Sequence, residues 1–124
     1  MELSYQSWQE MKAALREVLE EELGMVDYKI ARKWEGGKLI LKPCDDSMQS
    51  KEIPLEVFFK KITAVREKLR VLEQKLNNNK TLSNAEKAEY QTLITRAYGS
   101  LTTFNFLFRD ERDRFSGQKS EDQD

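Results

Sequence analysis

The stretch PLEVFFKKITAVREKLRVLEQKL, residues 54–76, decides the fold of this chain. Its apolar residues alternate between spacings of three and four, and the seam that they form is Leu55, Phe58, Ile62, Val65, Leu69, Leu72 and Leu76. A seam of this kind predicts one long amphipathic helix. Pro54 suits the first turn, where its missing N–H is not needed. We predict a helix over residues 54–77, with its seam packed on another helix of the same chain.

A second long helix is predicted directly downstream. The polar turn NNNKTL leads into SNAE, Ser83–Glu86, which has the pattern of a capping box. An apolar stripe at helical spacing follows, at Tyr90, Leu93, Ile94, Ala97, Leu101, Phe104 and Phe108. We predict a helix over residues 84–110, antiparallel to the helix at 54–77. The run SLTTFNFLF, residues 100–108, also has the β-branched and aromatic content of a strand, but the stripe favours a helix.

The N-terminal part of the chain predicts a further amphipathic helix. SWQE, Ser7–Glu10, fits a capping box, and Gly24 is a natural stop. The apolar positions between them recur every three or four residues, at Trp8, Met11, Leu15, Val18 and Leu19. We predict a helix over residues 5–23.

Between these helices the apolar pattern changes to alternation. In VDYKIARKWEGGKLILKP, residues 26–43, paired glycines separate two β-prone runs, which is a signal for a two-residue turn. We predict a β-hairpin over residues 26–42 that turns at Gly36-Gly37. The predicted fold class is therefore α+β and mostly helical: an N-terminal helix, a two-stranded β-hairpin and a long antiparallel helical hairpin. We expect one domain over residues 1–115 and a disordered polar tail at 116–124.

Composition narrows the classes of function. The 124 residues include no histidine and one cysteine, Cys44, and the net charge is −1. Serine–histidine and cysteine–histidine catalysis and histidine-ligated zinc are thereby excluded. We expect no catalytic residues, no cofactor and no metal, and a protein that is not an enzyme. The remaining alternative is an enzyme whose pocket brings Glu, Lys, Tyr or Cys44 side chains together. No apolar run is long enough for a membrane span, and the N-terminus lacks the layout of a signal peptide, so we expect a cytoplasmic protein.

The second face of the helix predicted at 84–110 is the candidate partner surface. When it is projected at about 100° per residue, small or uncharged residues gather opposite the apolar stripe, where an exposed helix normally carries charge. They are Thr92, Thr95, Gly99, Thr102, Thr103 and Phe106. Gly99 costs a helix about 1 kcal/mol relative to alanine, which close approach of another backbone or a kink would explain. Three interpretations stay open: other elements of the chain cover this face, it is a homodimer seam, or it is a groove for a different protein.

We therefore expect a small protein–protein interaction or regulatory protein, adaptor-like, that binds itself as a homodimer through this helix or binds another protein. The alternative is a nucleic-acid-associated regulator that uses a basic face of the β-hairpin. Its candidate residues are Lys29, Lys33, Lys38 and Lys42. Lysine is also common on edge strands, and a net charge of −1 gives no general attraction to nucleic acid, so a nucleic-acid partner is the weaker expectation and a membrane partner is not expected.

Overall fold

In the part of the chain that the structure describes, three α-helices, one small sheet and short 3₁₀ helices make up the regular structure. The computed structural model describes residues 4–23 and 27–117, with the backbone alone at 20, 21 and 23. In chain order the elements are α1 (Tyr5–Leu23), β1 (Lys38–Leu41), β2 (Lys51–Pro54), α2 (Leu55–Asn77) and α3 (Asn84–Ser100). The predicted α+β, mostly helical class is confirmed. Gly24, the predicted helix stop, and residues 118–124 of the predicted tail lie outside the described residues.

The helices α2 and α3 form the predicted helical hairpin. Ser83 caps α3 as the sequence predicts: its side chain accepts from the Glu86 N–H at 3.1 Å, and the Glu86 carboxylate accepts from the Ser83 N–H at 3.1 Å. Glu73 on α2 accepts hydrogen bonds from Gln91 at 2.8 Å and from the Tyr98 hydroxyl at 2.6 Å. These bonds join the two helices along the side that they share.

The predicted α2 seam is only partly used within the chain. Leu55, Ile62 and Leu76 are buried, whereas Val65 and Leu72 stay 45% and 51% exposed. Phe59, which lies outside the predicted seam, is buried in its place. The helix therefore turns a somewhat different side towards the core from the one that its heptad pattern indicates.

A two-stranded antiparallel β-hairpin is present, as predicted, but its predicted bounds, residues 26–42, are wrong. β1 instead pairs antiparallel with β2, from Lys38 opposite Pro54 to Leu41 opposite Lys51. The chain before the glycines forms a short 3₁₀ turn, Arg32–Trp34, and Ile30 makes an isolated bridge with Phe108. The glycines therefore place the start of β1 beside the start of α2, and the segment before them does not pair with β1.

The contacts at Gly36 and Gly37 give the physical reason. Gly36 has φ +73°, which favours glycine, and its N–H donates to the Glu56 carboxylate at 2.6 Å. The Gly37 carbonyl accepts from the Leu55 N–H at 3.0 Å. A Cβ added at Gly37 would lie 2.9 Å from the end of the Leu55 side chain and 3.1 Å from the Trp34 carbonyl oxygen, so glycine suits this close approach to the start of α2.

The α-helix predicted over residues 84–110 is wrong beyond Ser100. The chain tightens there into a 3₁₀ helix, Leu101–Leu107, in which the Thr102 hydroxyl donates to the Gly99 carbonyl at 2.7 Å. Threonine hydroxyls compete with the backbone for such carbonyls and so favour a change of helix type. With three residues per turn, one side of the 3₁₀ helix carries Leu101, Phe104 and Leu107 towards the core.

The core gathers around Phe108, which is 2% exposed. Its ring meets those of Phe59 at 5.1 Å and Phe115 at 5.4 Å between centroids, both nearly edge to face. The buried members of this cluster are Ile30, Leu55, Phe59, Ile62, Leu107, Phe108 and Phe115. The core thus joins α2 to the segment that follows α3.

The helix α1 has the predicted bounds but a different cap. Ser4, not Ser7, caps it, because the Ser4 hydroxyl oxygen accepts from the Ser7 N–H at 3.1 Å. Glu10 accepts from the Gln6 side chain at 3.3 Å instead of reaching back to Ser7, so the predicted SWQE capping box is wrong. Within the described residues, no helix is long and apolar enough to cross a lipid bilayer.

Candidate functional site

The apolar side of α1 is the most unusual surface of the molecule. Five large side chains at helical spacing remain between 48% and 80% exposed. They are Tyr5, Trp8, Met11, Leu15 and Val18, and we call them the α1 stripe. Soluble proteins seldom leave a continuous apolar row uncovered unless it meets another molecule. By contrast, apolar residues at the same spacing on α2 and α3 include buried side chains, namely Leu55, Ile62 and Ile94.

An ion pair connects α1 to the end of the core. The Arg16 guanidinium contacts both carboxylate oxygens of Asp113, at 3.1 and 3.2 Å. Asp113 is buried, and this burial raises the pKa of its carboxyl group although the charge of Arg16 acts to lower it. A charge in such a place needs its counter-ion, so the pair fixes the side of α1 that faces the molecule.

Arg66 holds Asp113 from the opposite side. Its guanidinium donates to the Asp113 carbonyl oxygen and stacks over the rings of Tyr28 at 5.0 Å and Phe115 at 5.2 Å. Cation–π contacts of a partly desolvated arginine stabilise such packing. The backbone and the side chain of one aspartate are therefore held by two arginines, from α2 and from α1.

A groove of about 910 Å³ runs beside this ion pair. The α1 wall includes Leu15, which belongs to the α1 stripe, and Leu19. The facing wall is charged and consists of Asp27, Lys29, Asp110 and Arg112. The α1 wall also includes Gln9, Lys12 and Arg16, so both walls carry charge. A groove of such mixed polarity suits a protein segment better than a compact hydrophobic ligand.

A smaller cleft of about 240 Å³ lies between α2 and the C-terminal segment. Its polar groups are used within the fold: Glu73 accepts from Tyr98 and Gln91, and Arg70 pairs with Glu67 at 3.0 Å. We interpret this cleft as part of the packing of the C-terminal segment on the helical hairpin.

The residues of the predicted helix seam do not share one face. Gly99 is buried, and the Gly117 backbone covers it so closely that a Cβ on Gly117 would lie 2.8 Å from the Gly99 nitrogen. Thr92 and Thr103 are exposed, while Thr95 and Thr102 are half-buried. Phe106 is 50% exposed and packs edge-on against Trp34 at 5.6 Å. Homodimerisation through these six residues stays a prediction.

The four lysines of the nucleic-acid alternative do not line a two-stranded ribbon, because residues 27–37 do not pair with β1. Lys29 lies 3.4 Å from Asp27, and Lys38 lies 3.2 Å from Glu52. Lys42 is 3.9 Å from Asp46, and Lys33 lies over the Trp34 ring at 5.1 Å. Nucleic-acid binding through these lysines stays a prediction.

The sequence analysis did not single out Arg16, Arg66 or Asp113. No pattern in the sequence pairs Arg16 with a residue so far along the chain, and the α1 stripe resembles the stripes of buried helices. Cys44 is exposed. In the described part of the chain, no group of three acidic or cysteine side chains is arranged to hold a metal ion.

Together the fold and this surface define a small, mostly helical α+β protein with an exposed amphipathic N-terminal helix. Residues 25–114 match the model of the family described as Domain of unknown function (DUF8685), and the chain belongs to that family. The matched region contains both strands, α2, α3, Arg66 and Asp113, whereas α1 precedes it. No curated protein and no solved structure matches the chain.

Proposed function

We propose that this protein works by binding another protein chain through the α1 stripe, without a catalytic step, as a small cytoplasmic interaction protein. The observation that carries the proposal is the exposure of five large apolar side chains on one side of α1, at 48% to 80%. An amphipathic helix that presents such a row is a common form of protein recognition.

The energetics support a helix or a groove as the binding partner. Complete burial of one large apolar side chain stabilises by about 1.5–3 kcal/mol, so covering the exposed half of each stripe residue contributes about 1 kcal/mol. Losses of side-chain and rigid-body freedom oppose this gain, and several residues must therefore be covered together. A partner that follows α1 along its length meets this requirement.

The ion pair between Arg16 and Asp113 supports the proposal because it presents α1 in a defined orientation. With Arg16 directed at the core, the stripe residues Leu15 and Val18 stay 58% and 53% exposed. A helix whose rotation is already set has less freedom to lose on binding.

Site-specific photo-cross-linking in the native cell tests the proposal. A benzophenone amino acid is placed at Val18, on the stripe, and in a matched control at Glu17, which is exposed on the opposite side of α1. We expect a discrete cross-linked protein product from position 18 and a several-fold weaker one from position 17. Equal yields from the two positions, or none from either, would contradict binding through the α1 stripe.

A further inference from the structure

The described part of the chain contains a second uncovered apolar row, on α2. We propose that the α1 stripe binds α2 of a second copy of this chain, so that two copies form a two-fold dimer with two equivalent α1–α2 contacts. This inference rests on the proposed function and names the partner.

The α2 row consists of seam positions that the chain itself does not cover. Val65 and Leu72 are 45% and 51% exposed, although the heptad pattern places them among the packing residues. Val57 and Val71 are 45% and 42% exposed and lie about 60–120° farther round α2. A second helix laid along this side would complete the seam by the packing that its spacing indicates.

Charge selects α1 as that second helix. α1 carries five glutamates against one lysine and one arginine, a net charge of −3, and α2 carries six basic residues against three glutamates, a net charge of +3. On α2, Lys61, Lys68 and Lys75 are exposed and recur every seven residues. At about 100° per residue they lie between Val65 and Leu72 on one side and Val71 on the other. On α1, Glu22 is exposed and continues the stripe four residues after Val18.

The same charges argue against other pairings of two copies. Two α1 helices placed side by side would bring two net charges of −3 together, and two α2 helices would bring two of +3 together. Of these pairings, only α1 with α2 brings together helices of opposite net charge. A two-fold axis makes this contact occur twice, which is the usual arrangement of homodimers.

The lengths of the helices fit as well. At about 1.5 Å per residue, α1 is about 28 Å long and α2 about 34 Å. The whole α1 stripe can therefore lie along one α2.

Charge reversal with reciprocal mixing tests the inference. The first variant carries Lys61→Glu and Lys68→Glu, which changes the net charge of α2 from +3 to −1. The second carries Ser7→Lys, Ala14→Lys and Glu22→Lys, all at exposed positions on or beside the α1 stripe, which changes α1 from −3 to +1. Matched controls with the same change in net charge, at exposed positions outside α1 and α2, are Lys51→Glu with Lys80→Glu and Asp46→Lys with Glu89→Lys.

Light scattering during gel filtration, with the protein at about 20 µM, measures the molar mass of each eluting species. We expect twice 14.6 kDa for the wild type and for both controls, and 14.6 kDa for each variant alone. An equimolar mixture of the two variants should regain the dimer mass, since both of its α1–α2 contacts again join opposite charges. Circular dichroism confirms that each variant is folded.

Other outcomes overturn the inference. A wild type that stays monomeric at 100 µM excludes the dimer, and a folded α2 variant that still dimerises excludes α2 as the docking helix. If Val18→Asp abolishes association while the α2 variant does not, the α1 stripe binds a protein surface other than α2. In that case this inference fails and the proposed function stands. The proposed function has its own test, because it fails only if position 18 gives no specific cross-linked product.

Discussion

Arg16 and Asp113 are 97 positions apart in the chain, yet the Arg16 Nη2 atom lies 3.1 and 3.2 Å from the two carboxylate oxygens of Asp113. The aspartate side chain is 7% exposed and the arginine side chain 26%. This pair joins the N-terminal helix to the end of the core. It therefore sets how α1 presents its apolar stripe.

Removing Arg16 should release α1 and strain the core. Arg16→Ala leaves the Asp113 carboxylate buried without this counter-ion, and we expect a loss of about 1–3 kcal/mol in the free energy of unfolding. Urea titration measures the loss, and hydrogen exchange should become faster in α1 than in α2. Lys12→Ala, an exposed change on the same helix, serves as the control. Unchanged exchange in α1 would show that the ion pair does not hold the helix.

Phe108 should be the most costly aromatic residue to truncate. It is 2% exposed and contacts the rings of Phe59 and Phe115, so Phe108→Ala opens a cavity in the core. We expect a loss of about 3–5 kcal/mol in thermal or denaturant unfolding. Phe106→Ala, at a half-exposed position two residues earlier, should cost clearly less. Equal losses for the two variants would contradict the assigned core.

Gly117 should tolerate no side chain. A Cβ there would overlap the Thr95 carbonyl oxygen and approach the Gly99 nitrogen to 2.8 Å, and both are backbone atoms of α3. We expect Gly117→Ala to lower the free energy of unfolding by about 1–3 kcal/mol, because the C-terminal segment must move away from the helix. Ser116→Ala, at an exposed neighbour, should change it by less than about 0.5 kcal/mol. A neutral Gly117→Ala would show that this segment does not pack on α3.

Two tyrosines should make stability fall at alkaline pH. Burial, and then a hydrogen bond to a carboxylate, raise the pKa of Tyr28 beside Glu67 and of Tyr98 beside Glu73. The folded state holds these protons more tightly than the unfolded chain, in which tyrosine has a pKa of about 10. The stabilisation is therefore complete below about pH 10 and is lost as the pH rises above it.

Urea unfolding of the wild type and of Tyr28→Phe with Tyr98→Phe, from pH 8 to pH 11, measures this dependence. The double variant should start less stable, because the phenol hydrogen bonds are gone, and should lose less stability above pH 10. Parallel curves for the two proteins would exclude the two phenols as the cause.

The three helices could be predicted because each carries its own periodic apolar pattern, and the Ser83 cap could be predicted because capping is local. The strand pairing could not. The paired glycines predicted a hairpin turn at Gly36-Gly37. In the structure β1 pairs with β2, and residues 42–50 connect the two strands. β2 has only four residues, too few for an alternating pattern to be recognised in the sequence. The hydrogen bond from the Leu55 N–H to the Gly37 carbonyl helps to set which segment pairs with β1. These residues are far apart in the sequence, so a local sequence pattern cannot predict the contact.

The end of α3 and the candidate site also depend on tertiary contacts. The projection of residues 101–108 assumed an α-helix, and the 3₁₀ geometry moved Phe106 and Thr103 away from Gly99. Of the two explanations offered for Gly99, a backbone approach or a kink, the structure shows a backbone approach, by the chain's own segment at Gly117. Whether an apolar stripe is covered depends on where its helix docks, so the α1 stripe could be recognised only from the structure.

Sedimentation equilibrium of the wild type and of Val18→Asp tests most directly the claim that the α1 stripe binds a second copy. Loss of about 1.5 kcal/mol at each of the two symmetric contacts should raise the dimer dissociation constant about 100-fold. Glu17→Gln, on the other side of α1, should leave that constant unchanged. A Val18→Asp protein that is folded and dimerises as tightly as the wild type would contradict the claim.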